Sequence, residues 1–317
     1  MTRKLRSIFF MIALLFMPAL AQAQNIKTVD VMEDFWKFWE KSEGADMPAR
    51  VALFRSLVIN QHADIYYNFT GRRTDEELTG YLKALPKLVP KMRPVSDRLR
   101  KDLPIQLAQF KKTFPDMKWS GTVVFMPNYG QTDGGGGAFG GTDYLFFGVD
   151  TLAFQYGETA DLTVLFDHEL FHKYFGQFHP EWSGKSREKG EIPLYWLVWN
   201  EGLATYASEK LVPKARVEQV FLGQPLADFE KKRAALVEDV KQKFDRGEPE
   251  IWRPYMAAET IDPQIPPRAG YYIGYLVAKE LGKTRSLRQL AQLNGKDLRR
   301  SMLKVLNRLA QPKAAEK

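Results

Sequence analysis

No cysteine occurs among the 317 residues. That excludes a disulfide framework and a lipid-attachment site of the bacterial lipoprotein type. Histidine is scarce, with four in the whole chain. Long apolar runs are also missing. The one extended stretch, Ile8 to Leu20, covers 13 residues, and nothing later approaches the length of a membrane span. That stretch follows Arg3, Lys4 and Arg6 and precedes Ala21-Gln22-Ala23. A charged start, a short apolar centre and a small-residue cleavage site make residues 1–23 read as a secretory signal peptide. The expected product starts near Gln24 and is a soluble periplasmic or secreted protein of bacterial type. Its formal net charge falls from +8 to +5, because the removed segment holds three basic residues and no acidic one.

Much of the remaining basicity lies near the end, in a cluster from Lys283 to Arg308 interleaved with leucines at helical spacing. A helix that packs one face and solvates the other explains this pattern best. Nucleic acid is a poor partner for an exported chain, and no nucleic-acid interaction is expected. Asn68-Phe69-Thr70 matches a glycosylation acceptor, which says nothing in a bacterial host.

Two of the four histidines fall in His168-Glu169-Leu170-Phe171-His172. In a helix, residues four apart share a face. His168 and His172 can then offer ring nitrogens to one ion, with Glu169 beside them. Two neutral imidazoles and a general base that takes a proton from water are the components of a zinc peptidase site. The surrounding stretch, Asp161 to Gly176, reads as one helix. Asp161 or Thr159 is the expected N-cap and Gly176 the left-handed stop. Leu162, Leu165, Phe166, Leu170 and Phe171 supply apolar surface, against which a histidine pair needs a partner such as a metal ion.

A catalytic zinc takes three protein ligands and keeps a fourth position for water. The third candidate is Glu201, separated from His172 by 28 residues and followed by Gly202, where a second helix could approach closely. A plainer account puts Glu201 in the first turn of its own helix, where a negative charge suits the dipole. The unfilled ligand position favours the metal.

The pair of segments, His168-Glu169-Leu170-Phe171-His172 and Trp199-Asn200-Glu201-Gly202-Leu203-Ala204, resembles the gluzincin zinc peptidases. Those enzymes take their third ligand from a glutamate on a following helix, commonly in an asparagine-glutamate-glycine setting. By that resemblance His168, His172 and Glu201 bind one zinc ion and Glu169 is the base. The 28 intervening residues exceed the M1 aminopeptidase spacing. The chain is more similar to a bacterial family of predicted zinc-dependent proteases of unknown function. In that family an aromatic-rich helical region, like Asp34-Phe-Trp-Lys-Phe-Trp39, precedes the motif. The resemblance also implies an oxyanion donor, a tyrosine three residues before a glycine. Tyr271-Tyr272-Ile273-Gly274 has that spacing, making Tyr271 the candidate, with Tyr272, Tyr206 and His179 as rivals. Tyr271, Tyr272 and Tyr275 also open an apolar helix to Leu281 and have packing as a competing role.

The expected fold class is α+β and mostly helical. A zincin-like lobe with a small sheet and a two-helix zinc site is flanked by helical regions. The division is 24–118 (N-terminal helical), 119–215 (zinc-binding core) and 216–317 (C-terminal helical). Helices are expected at Val31 to Trp39, Ala49 to Ile59, Asp75 to Leu88 and Val95 to Phe114. Gly121 to Met126 and Tyr144 to Val149 read as strands. Between them, Thr132 to Gly141 reads as a flexible glycine connector, lacking the lysine and hydroxyl of a phosphate loop. The alternative takes the second strand as the edge that lines the cleft and pairs with an extended peptide. Asp245 to Pro254 and Asp262 to Pro267 read as loops bordering the cleft.

These observations lead to an exported zinc peptidase acting on a peptide or protein substrate, with Glu169 as base. A zinc-stabilised binding or chaperone-like envelope protein is the main rival, and a non-peptide amidase using the same chemistry is the third.

Overall fold

The computed structural model describes residues 26–311, except 158–160, 183–184, 222 and 225. The expected signal peptide and the Thr159 cap lie outside these residues. Strand β1 (Lys27–Asp30) leads into helices α1 (Met32–Lys41), α2 (Met47–Phe54), α3 (Ala63–Phe69), α4 (Asp75–Ala84) and α5 (Val89–Thr113). A π turn, Arg55–Ile59, extends α2. Strands β2 (Thr122–Met126), β3 (Gly134–Phe139) and β4 (Thr142–Gly148) follow, then α6 (Val149–Tyr156), α7 (Thr163–Gly176) and α8 (Leu194–Leu211). The last part holds α9 (Val217–Val220), α10 (Leu226–Gln242), α11 (Pro249–Met256), α12 (Ala269–Leu281), α13 (Leu287–Ala291) and α14 (Gly295–Leu309). The fold is thus α+β and mostly helical, with one four-stranded mixed sheet.

The sheet order is β1-β2-β4-β3, with β1, β2 and β4 parallel and β3 antiparallel at one edge. All five residues of β2 are buried. Strand β1 comes from the region expected to be helical. It is short and half-polar, so nothing in its side chains announces a strand, and the backbone ladder to β2 makes it one. Asp30 closes it by accepting from Met32 N at 3.0 Å and by pairing with Arg100 of α5.

The glycine segment is not a connector. It is β3, and it rather than β4 forms the edge of the sheet. Glycine has little strand propensity, so its composition argued against pairing. The overlooked signal is Phe139-Gly140-Gly141-Thr142, because the glycines have φ of 56° and 74° and close a two-residue hairpin. Crowding on both faces accounts for the bare backbone. A Cβ on Gly134 would lie 3.2 Å from the Glu169 side chain, and one on Gly136 would lie 2.7 Å from Lys173 Nζ. On the opposite face Gly135 meets Phe146 and Gly137 meets Phe69.

Two further expectations are corrected. Residues 245–254 are not all loop, since α11 starts at Pro249, where a proline costs the helix no hydrogen bond. Helix α5 begins at Val89 and continues through Pro94 and Pro104, although proline disfavours a helix interior.

Helices α8 and α12 cross at two glycines. A Cβ on Gly202 would lie 2.1 Å from the Gly274 backbone, and a Cβ on Gly274 would lie 1.9 Å from Val198 O. Neither helix can carry a side chain there. Gly274→Ala is expected to cost about 3 kcal/mol through overpacking. Gly80→Ala, in an open position of α4, should instead stabilise by about 0.5–1 kcal/mol. Chemical denaturation of both variants checks the contrast, and equal effects would contradict it.

Candidate metal centre and catalytic cleft

Helix α7 is nearly surrounded. His168 is 2% exposed and Glu169 8%. Its start is capped indirectly: the cap residue is Leu162, and Asp161 Oδ1 accepts from Thr163 N at 3.0 Å. Its end is not a left-handed glycine. Gly176 stays helical and Gln177 follows with φ −64°, because Phe178 N and His179 N continue the winding onto Phe175 O and Gly176 O.

Helix α8 runs beside α7 and brings Glu201 to the two histidines. Glu201 Oε2 lies 3.4 Å from His168 Nε2 and 3.2 Å from His172 Nε2, and the two Nε2 atoms are 3.1 Å apart. Three donor atoms therefore converge within 4.8 Å of one another. Asn200 orients two of them. Its Oδ1 lies 3.2 Å from His172 Nδ1, and its Nδ2 donates to Glu201 Oε1 at 3.2 Å. With its proton on Nδ1, His172 turns a lone pair on Nε2 toward the carboxylate oxygen and toward His168. Lone pairs so aimed repel one another until a cation sits between them. Two imidazoles and one carboxylate suit a divalent ion such as zinc and leave a position open. His168, His172 and Glu201 can therefore hold a metal ion.

The electrostatics are coherent with that. Burial disfavours the Glu201 carboxylate, but the imidazoles, His172 foremost, outweigh it and hold the group well below the usual range. Burial pulls His172 down, yet the charge and hydrogen bond of Glu201, together with the Glu169 charge and the Asn200 hydrogen bond, outweigh it and leave it raised. Glu169 is pushed up by burial against the opposing pull of His172 and His168. Asp167, immediately before His168, is pushed up to about 7 by burial alone.

The donors open on a cavity of about 560 Å³, whose lining includes Gly134 to Gly136 of β3, Glu169, Arg268 and Tyr271. The Tyr271 ring stacks 6.0 Å from that of His168 at 13°. Burial, reinforced by the Glu201 charge, raises its phenol well above the ordinary value. The three rivals sit elsewhere. Tyr272 packs into the core on Phe229, and Tyr206 lies against Gly282. His179 bonds Ala291 O at 2.7 Å, and burial lowers its pKa.

Sequence reasoning missed Asn200 as an orienting group, although it was already in view within the asparagine-glutamate-glycine setting. It also missed Arg268 and Asp133. Arg268 has φ 58°, is 8% exposed, and pairs with Asp133 at 3.5 Å. Asp133 also accepts from Tyr156 Oη at 2.9 Å and from Gly134 N at 3.0 Å. No local pattern links residues so far apart. Neither of the two segments expected to border the cleft, 245–254 and 262–267, supplies a lining residue; Met256 and Ala258, which lie between them, do.

No family model, curated protein or solved structure matches the chain. The site is therefore argued from its own geometry. Glu201→Ala is expected to abolish one-per-chain zinc binding in calorimetry, and Asn200→Ala to weaken it by about 10–100-fold. Undiminished affinity in both would rule out this ligand set.

Proposed function

We propose that the protein is an exported, gluzincin-like zinc peptidase with a zincin-like catalytic lobe. The observation that supports this is the convergence of His168, His172 and Glu201 on one point of a cavity that also contains Glu169 and Tyr271. A zinc ion held there would supply Lewis acidity to a carbonyl and acidify a water molecule toward a pKa of about 7.

The chain's own groups divide the remaining work. Glu169 lies beside the bare backbone of Gly134. It accepts the proton of the attacking water and passes it to the leaving amine. Its burial favours the protonated form and so makes it a stronger base than an exposed carboxylate. Tyr271 remains a neutral phenol at working pH, because its pKa is raised. A neutral phenol donates to the oxyanion, an interaction that strengthens as charge develops. Asn200 fixes the His172 tautomer.

Strand β3 offers a binding edge. Gly148 N donates to Asp133 O at 3.0 Å, and alternation then turns Gly134, Gly136 and Ala138 away from β4. The outward groups of Gly134 are already capped, with its carbonyl accepting from Thr132 Oγ1 at 2.7 Å and its N–H bonded to Asp133. Gly136 and Ala138 remain to pair with an extended substrate.

Glu169→Gln should retain zinc and lose hydrolysis by at least about a thousandfold, since base catalysis and solvent activation fail together. Tyr271→Phe should lower kcat about 10²–10³-fold with little change in KM. Peptide cleavage with and without chelator, alongside zinc content, measures both. Bound zinc with no cleavage of any peptide would overturn the peptidase reading in favour of a binding protein.

A further inference from the structure

Beside the metal centre lies a second cavity, of about 420 Å³. It shares His172, Lys173, Trp182, Trp196 and Asn200 with the first. The two adjoin along α7: the first covers His168 to Lys173, and the second continues from His172 past Gly176 to His179. His172 and Asn200 stand at the junction. Surface suited to substrate therefore extends on both sides of the ligand set.

The second cavity has a different chemistry. Phe175, Trp196 and His179 form a buried aromatic floor, with Trp182 stacked on Trp196 at 4.8 Å and 23°. Trp182 is the partly exposed ring of the group. Lys118 and Gln177 line the same cavity and add polar character. A hollow of this size with aromatic walls suits a large apolar side chain, and ring-on-ring contact favours an aromatic one.

Among the described residues, neither half of the cleft has a free, buried charge to hold a chain terminus. The first cavity contains three carboxylates, of which Glu169 and Glu201 belong to the metal site. The third, Asp133, is occupied by Arg268, Tyr156 and Gly134 N. In the second cavity Asp143 is paired with Lys173 and accepts from Trp119 Nε1 at 2.8 Å, so among the described residues an ammonium terminus finds no spare acid. Among the cations, Arg268 is paired with Asp133. Lys173 is paired with Asp143 at 2.6 Å and bonded to Tyr144 O at 2.7 Å. Lys185 and Arg187 are exposed at the mouth, where solvent weakens any hold on a carboxylate.

We infer that this site, given the peptidase reading above, is an endopeptidase site. It accepts an internal, extended segment of an unfolded chain and places an aromatic side chain of that segment in the Trp182–Trp196 hollow. The scissile bond lies over the ligand set, the chain leaves in both directions, and neither terminus is recognised. Trp182 is the specificity-determining residue.

The test uses zinc-loaded full chain and a hexapeptide pair, one acetylated and amidated, the other with free ends, each made with a central Phe or a central Ala. Products are identified by mass spectrometry. The expected result is internal cleavage of blocked and free peptides at rates within threefold, with Phe preferred over Ala at least tenfold. Trp182→Ala should collapse that preference, and Trp182→Phe should restore most of it. A general loss of folding would lower both substrates equally and leave the ratio intact. Cleavage of free-ended peptides alone, or stepwise trimming from one end, overturns the inference and leaves the peptidase reading standing. Calorimetry on Glu169→Gln separates binding from turnover. Equal affinity for blocked and free Phe peptides, weakened tenfold by adding Trp182→Ala, supports the cleft assignment even where wild type cuts nothing. No binding of the blocked peptide overturns it.

Discussion

The contact between Gly202 and Gly274 is the constraint on which the site depends. With no side chain at either position, α12 lies directly on one turn of α8. Each glycine is close in sequence to a functional group. Glu201 immediately precedes Gly202, and Tyr271 lies one helical turn before Gly274. Backbone contact therefore fixes where the carboxylate and the phenol stand relative to each other. Helix α7 needs only to run beside α8 for its histidines to meet both. Close packing of this kind holds its geometry because interiors have little free volume in which to drift.

A second bare backbone serves the opposite side of the helix. The four glycines of β3 leave room for Glu169 and Lys173 beneath the strand and for Phe146 and Phe69 above it. A strand with ordinary side chains would push α7 away from the sheet edge and take Glu169 with it. Lys173, held by Asp143 and the Tyr144 carbonyl, then anchors the helix to β4. Glu169 is thus located by what the neighbouring strand lacks. Its burial and raised pKa follow from the same close fit.

What could be read from the sequence was local, or had a local marker. The i, i+4 spacing of His168 and His172 needs only a helix, and the dipeptide Glu201-Gly202 announced both a ligand candidate and a close approach. The choice among Tyr271, Tyr272, Tyr206 and His179 rested on spacing alone, and orientation decides which of them faces the cavity. Strand β3 was misread because its conformation comes from the hairpin and from steric room, neither of which is a side-chain preference. Strand β1 was missed because its partner is distant in sequence. The Asp133–Arg268–Tyr156 group was out of reach for the same reason, as three segments meet there only in the folded chain. The Gly176 stop failed because the chain keeps winding in the same hand through Gln177 and the turn after it instead of reversing.

Strand β1 has a consequence for the order of assembly. Its register, Lys27 opposite Thr122, joins the first described strand to one that lies beyond the whole N-terminal helical region. Closing so long a loop is entropically costly, so this parallel pairing belongs among the later events of folding. Until it forms, β2 presents an unpaired edge in which every residue is destined for the core. Such an edge is open to pairing with another chain. The half-polar β1, fastened by Asp30 to Arg100, covers it. Cleavage within β1 would therefore uncover the β2 edge and leave the fold prone to aggregation.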